Sequence, residues 1–72
     1  MSYEFKVEID REEDGRWIAE IPALPGVMAY GKTQAEAVAS VQALALRVVA
    51  DRVEEQKEGS GGQLSVTFDC RP

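Results

Sequence analysis

The stretch Trp17-Ile18-Ala19-Glu20-Ile21-Pro22-Ala23-Leu24-Pro25-Gly26-Val27-Met28-Ala29-Tyr30-Gly31, running on into Thr33-Gln34-Ala35-Glu36-Ala37, decides the fold. Trp17 to Ile21 reads as a strand. Pro22 and Pro25 lack a backbone N–H and hold φ near −65°, so the strand stops and the chain turns there. Gly26 supplies conformational freedom at the bend, and Val27 to Tyr30 resumes extended structure. Thr33 is placed to cap a helix, with Glu36 three residues on in the position of a capping box.

Working outward, Tyr3, Phe5, Val7 and Ile9 alternate with Glu4, Lys6, Glu8 and Asp10, the period-two signature of a strand with one buried face. Arg11-Glu12-Glu13-Asp14-Gly15 is a charged turn, and Asp14-Gly15 marks a hairpin into the Trp17 strand. On the far side, the helix is expected from Gln34 to about Glu58, ended by Gly59 as a left-handed cap. Ser60-Gly61-Gly62 then connects to a fourth strand in which Leu64, Val66 and Phe68 alternate with Ser65, Thr67 and Asp69. Two hairpins make strands one and three parallel, and a right-handed helical crossover returns strand four parallel to them. The expected architecture is α+β: β-β-β-α-β in a single domain over 1–72, a mixed four-stranded sheet of order 3-2-1-4 with one long helix on one face.

Composition narrows the function. With 72 residues the chain buries only about 60% of its unfolded surface, and such a core needs reinforcement from a disulfide, a metal or a partner. One cysteine and no histidine offer neither a disulfide nor an ordinary zinc site, so a partner or oligomer is expected. A lone Cys70 and no leader-like segment point to a reducing, cytoplasmic setting, and no apolar run approaches the roughly 20 residues of a membrane span. The net charge is −5, and seven of the thirteen acidic residues lie among the first twenty. Such a surface repels phosphate backbones, which argues against direct nucleic-acid binding, and attracts basic proteins.

The helix carries more apolar surface than one sheet face needs. Ala37, Val38, Val41, Leu44, Ala45, Val48 and Val49 span roughly 140° and suffice to cover the sheet. Ala39, Ala43, Leu46, Ala50 and Val53 continue around the adjacent flank and are the candidate interface of a homo-oligomer, a dimer or larger. The hairpin is expected to be apolar on both faces as well: Trp17 and Ile18 on opposite sides of the second strand, and Met28 and Tyr30 on opposite sides of the third, so part of this set meets solvent or a partner.

Chemistry is sparse. Without histidine the commonest general base is missing, Cys70 has no base near it in sequence, no serine sits in a nucleophile elbow, and Gly59-Ser60-Gly61-Gly62 lies between helix and strand in the reverse of phosphate-loop order. A two-metal nuclease would draw on Asp10, Glu36 and Asp69, with Asp10 and Asp69 near one sheet end. It would also require about four carboxylates and a basic substrate channel that the sequence lacks. No catalytic, cofactor-binding or metal-binding residue is expected.

The first strand, the Asp14-Gly15 turn, Trp17 to Glu20, Leu24-Pro25-Gly26, Tyr30-Gly31 and the helix from Glu36-Ala37 through Ala50-Asp51 together resemble the HicB-like antitoxin family over nearly the whole chain. The resemblance implies a partial ribonuclease H-like fold. It also implies a non-enzymatic antitoxin of a toxin–antitoxin system, one that blocks a small basic ribonuclease, HicA. Glu8, Asp10, Trp17 and Glu20 are the candidate toxin-binding residues. The family's C-terminal DNA-binding domain has no counterpart in these residues, so operator binding is not carried over. The alternative is an orphan homo-oligomer serving as a structural or adaptor protein without a toxin.

Overall fold

Turn chemistry sets both hairpins. A computed structural model describes residues 1–56 and 62–71 and places β1 at Ser2–Arg11, β2 at Trp17–Glu20 and β3 at Met28–Gly31, then α1 at Gln34–Glu55 and β4 at Ser65–Arg71. Between β1 and β2, the Gly15 N–H donates to the Glu12 carbonyl (2.9 Å) and the Glu12 N–H to the Arg16 carbonyl (2.7 Å). Gly15 sits at φ +92, so this is a tight turn closed by a left-handed glycine, leaving Glu13-Asp14-Gly15 as the loop. The next bend is two turns in series. Leu24 N–H reaches the Ile21 carbonyl across Pro22-Ala23, and Val27 N–H reaches the Leu24 carbonyl across Pro25-Gly26. Pro25 followed by Gly26 at φ +83 is the residue pair a type II turn demands. Leu24, the residue shared by both turns, is buried.

The sheet runs β3-β2-β1-β4, with β1–β2 and β2–β3 antiparallel and β1–β4 parallel, in agreement with the sequence expectation. Its register is staggered. The upper part of β1, Glu8 to Arg11, pairs with β2, and the lower part, Ser2 to Glu8, pairs with β4. Glu8 alone is shared, opposite Glu20 on one side and Arg71 on the other. The resulting molecule is long and narrow, 46 × 17 × 17 Å.

One helix serves both halves because its period matches the strand's. Four helical residues advance about 6 Å and two strand residues about 6.6 Å. Ala37, Val41, Ala45 and Val49, all buried, therefore keep step with alternate residues of β1, of which Ile9, Val7 and Phe5 are buried. Thr33 caps α1 by accepting the Glu36 N–H (3.1 Å). The Glu36 carboxylate takes the Thr33 hydroxyl (3.4 Å), so this end of the expected box closes between side chains. The helix ends earlier than the sequence predicts, at Glu55, with the Gln56 N–H turned back on the Arg52 and Val53 carbonyls. Glu58 and the expected cap Gly59 lie outside the described residues, as do Ser60 and Gly61 of the connector. No helix among the described residues is long and apolar enough to cross a membrane.

The tightest joint is between the end of β3 and the first turn of α1. A Cβ at Gly31 would lie 2.5 Å from the Ala37 backbone nitrogen and 2.8 Å from the Glu36 Cβ. Backbone cannot yield as a flexible side chain does, so Gly31→Ala is expected to cost about 1–3 kcal/mol in urea unfolding. Gly62→Ala, where the same atom meets nothing within 4 Å, provides the near-neutral control.

Candidate docking face of the hairpin

The register assigns every strand residue to a face. Ile9 pairs with Ala19 and Ala19 with Ala29, so odd-numbered residues of β1, β2 and β3 lie under the helix and even-numbered ones on the open face. In β4 the parity inverts: Val66, Phe68 and Cys70 pair with Tyr3, Phe5 and Val7 and share the helix side. The open face of the hairpin therefore carries Ile18 opposite Tyr30 and Glu20 opposite Met28; Met28 and Tyr30, expected on opposite sides, share this face because strand side chains repeat every two residues. Met28 and Tyr30 are 39% and 45% exposed and Ile18 is half-buried.

Acidic groups border this apolar patch. Asp10 is opposite Ile18, and Glu8 stands directly opposite Glu20. Like charges facing each other across an antiparallel pair destabilise a sheet. Arg71, on the far side of Glu8, has its guanidinium directed to Asp69 at 3.2 Å. At the turn end, the Arg16 guanidinium lies 4.5 Å from the Tyr30 ring centroid and 2.8 Å from the Asp14 carboxylate. The Arg16 backbone N–H, followed by the guanidinium's hydrogen bond and charge, holds the Asp14 carboxyl below the usual aspartate range. Asp14 thus links the loop to the edge of the patch through Arg16.

Of the four residues expected at a toxin surface, Glu8, Asp10 and Glu20 share the open face. Trp17 stands apart. It is on the helix side, half-buried against the core, with the Arg11 guanidinium 5.4 Å over its ring. Ile18, Met28 and Tyr30 take its place as the apolar centre, joined by Arg16. Of the helix-flank residues, Ala39, Ala43, Leu46 and Ala50 are exposed, whereas Val53 packs partly against the core. The nuclease carboxylates do not assemble. Asp69 pairs with Lys6, four residues along β1 from Asp10, or about 13 Å at strand rise. Glu36 is on the helix, across the sheet from both. Among the described residues no group of three potential metal ligands converges.

UPF0150 protein Ta0767 of Thermoplasma acidophilum is 33% identical over 54 residues, covering 75% of this chain and 77% of its own length. The chain belongs to the UPF0150 family. A second UPF0150 relative, protein ssl0738 of Synechocystis sp., is 37% identical over 59 residues and 82% of each chain. Neither relative's name states an activity or a ligand. No family model matches this UPF0150 chain, and no solved structure does.

The facing glutamates make a prediction about the isolated UPF0150 domain. Glu20→Gln removes one of two like charges and should raise the thermal midpoint, by the equivalent of a few tenths of a kcal/mol; an unchanged or lower midpoint would show that the pair carries no repulsion. For Asp14, whose carboxyl pKa is lowered by folding, the sign follows directly. Its contribution to stability is present above the unfolded pKa and lost as pH falls through the folded value. Carboxyl-detected NMR should find Asp14 titrating below the usual aspartate range, and raised only part of the way back in Arg16→Ala, which loses the guanidinium but keeps the backbone N–H.

Proposed function

We propose that this chain is a non-enzymatic docking domain of antitoxin type that neutralises a small basic ribonuclease, of the HicA kind, by covering its surface. The observation that carries the reading is the open hairpin face, where half-buried Ile18 and exposed Met28 and Tyr30 are bordered by Glu8, Asp10 and Glu20. An apolar centre with a charged border is the composition of a protein-binding surface, aromatic residues being common energetic anchors. The acidic border selects a basic partner and steers its approach. The Glu8–Glu20 repulsion gives the same selection a free-energy basis, because an incoming cation relieves a strain present only in the free domain. The HicB-like resemblance supplies the identity of the partner, and the reducing cytoplasmic setting expected from Cys70 is compatible with it.

A second reading, an orphan homo-oligomer, is favoured by the exposed helix flank around Leu46. It uses a different surface and, having no toxin partner, is the alternative to the first.

The test is RNA cleavage by a HicA-type ribonuclease titrated with this chain. Cleavage should stop near stoichiometric addition, and inhibition should weaken as salt rises. Tyr30→Ala should weaken inhibition about tenfold or more, Glu20→Lys should weaken it further at low salt, and Trp17→Phe should leave it unchanged. Cleavage that persists at saturating chain, or inhibition indifferent to Tyr30 and Glu20, would overturn the reading.

A further inference from the structure

The outer edge of β4 is open. β4 ends the sheet among the described residues, and its Ser65 N–H donates inward to the Met1 carbonyl (3.0 Å). Backbone groups alternate along a strand, so Val66, Phe68 and Cys70 direct both N–H and C=O outward. The same three residues place their side chains on the helix side. This edge therefore offers a row of unmade hydrogen bonds together with a row of half-covered apolar side chains.

The helix walls that row on one side. The Gln42 side-chain amide lies 3.8 Å from the Cys70 sulfur, which fixes the flank of α1 that looks toward β4. α1 descends as β4 ascends, so at about 1.5 Å per helical residue and 3.3 Å per strand residue Leu46 falls level with Phe68 and Val53 level with Ser65. Leu46 is 48% exposed, Leu64 at the foot of β4 is 49% exposed, and Val66 and Phe68 are half-buried. Leu46, Val53, Leu64, Val66 and Phe68 thus border a trough without a charged side chain among them.

We propose that a second copy of this chain closes the trough by pairing its β4 antiparallel with this one, making a continuous eight-stranded sheet across a two-fold axis. Charge selects a copy of this edge in preference to the hairpin face. The hairpin face is acidic and repels its own image, whereas the β4 edge carries only Asp69 and Arg71, which already neutralise each other at 3.2 Å. Registers that set Phe68 opposite Phe68 or Val66 of the partner keep apolar rows together and never face Asp69 with itself. They are also registers in which both residues direct their backbone groups at the partner, so the ladder closes. The contact is isologous, leaves the hairpin face free, and adds buried apolar surface to a chain too short to bury much alone. It also removes the longer of the sheet's two outer edges, a hazard for uncontrolled association if left open.

This pairing is independent of ribonuclease docking and is tested on the chain alone. Sedimentation should give twice the 7.9 kDa chain mass. Val66→Pro deletes an outward N–H and spares the β1 ladder, so it should weaken association about tenfold or more while the circular dichroism of the fold persists. Should that variant fail to fold, amide exchange on the unmodified chain decides: the Val66, Phe68 and Cys70 amides should exchange slowly when concentrated and faster on dilution. A monomer at high concentration, a dimer indifferent to Val66→Pro, or outward amides that exchange freely in the dimer would each overturn the proposal.

Discussion

The rest of this structure depends on the hydrogen-bonded sharing of β1 between two partners in succession. A strand of ten residues pairs with a four-residue strand over its upper part and a seven-residue strand over its lower part, with Glu8 the only residue common to both ladders. The stagger stretches a small domain along one axis, so one helix, advancing in step with β1, must stabilise two half-sheets. It does so with small buried side chains, Ala37 and Ala45 among them, set against Ala19 and the close approach at Gly31. What the helix cannot also reach is the outer edge of β4 and the far face of the hairpin.

Those two uncovered regions differ in chemistry as well as position. The hairpin face combines aromatic and aliphatic exposure with carboxylates, two of them directly opposed. The β4 edge combines free backbone groups with apolar side chains and a self-neutralised Asp69–Arg71 pair. A surface that repels its own copy suits a different, basic partner, and one that is neutral and self-complementary suits a second copy. The two proposed associations can occur on one molecule because one uses the open face of β1, β2 and β3 and the other the outer edge of β4.

Much of this was legible in the sequence, and the parts that were not have identifiable causes. Pro22, Pro25, Gly26 and Thr33 act through local backbone constraints, so the bend, the third strand and the helix start could be read residue by residue. Alternation in β1 gave its buried face. The face of Trp17, by contrast, turns on one residue of loop length. A two-residue Asp14-Gly15 turn would have paired Ile18 with Arg11 and set it under the helix; the three-residue loop pairs Trp17 with Arg11 and sets Ile18 on the open face. The pairing of Asp69 with Lys6 likewise reflects where β4 enters the sheet, a non-local quantity, and it separated carboxylates that topology alone placed together. Val53 marks the same limit: helical angle set it on the outer flank, but it packs partly against the core and is half-buried.

On the proposed reading, the open hairpin face is where this chain meets its partner. The most direct measurement is an NMR titration of the labelled chain with a HicA-type ribonuclease, following backbone amides and the single tryptophan indole together. Perturbations should concentrate at Glu8, Asp10, Ile18, Glu20, Met28 and Tyr30, with the Trp17 indole and the α1 flank undisturbed. Perturbations centred on Trp17 and α1, with the open face silent, would contradict it.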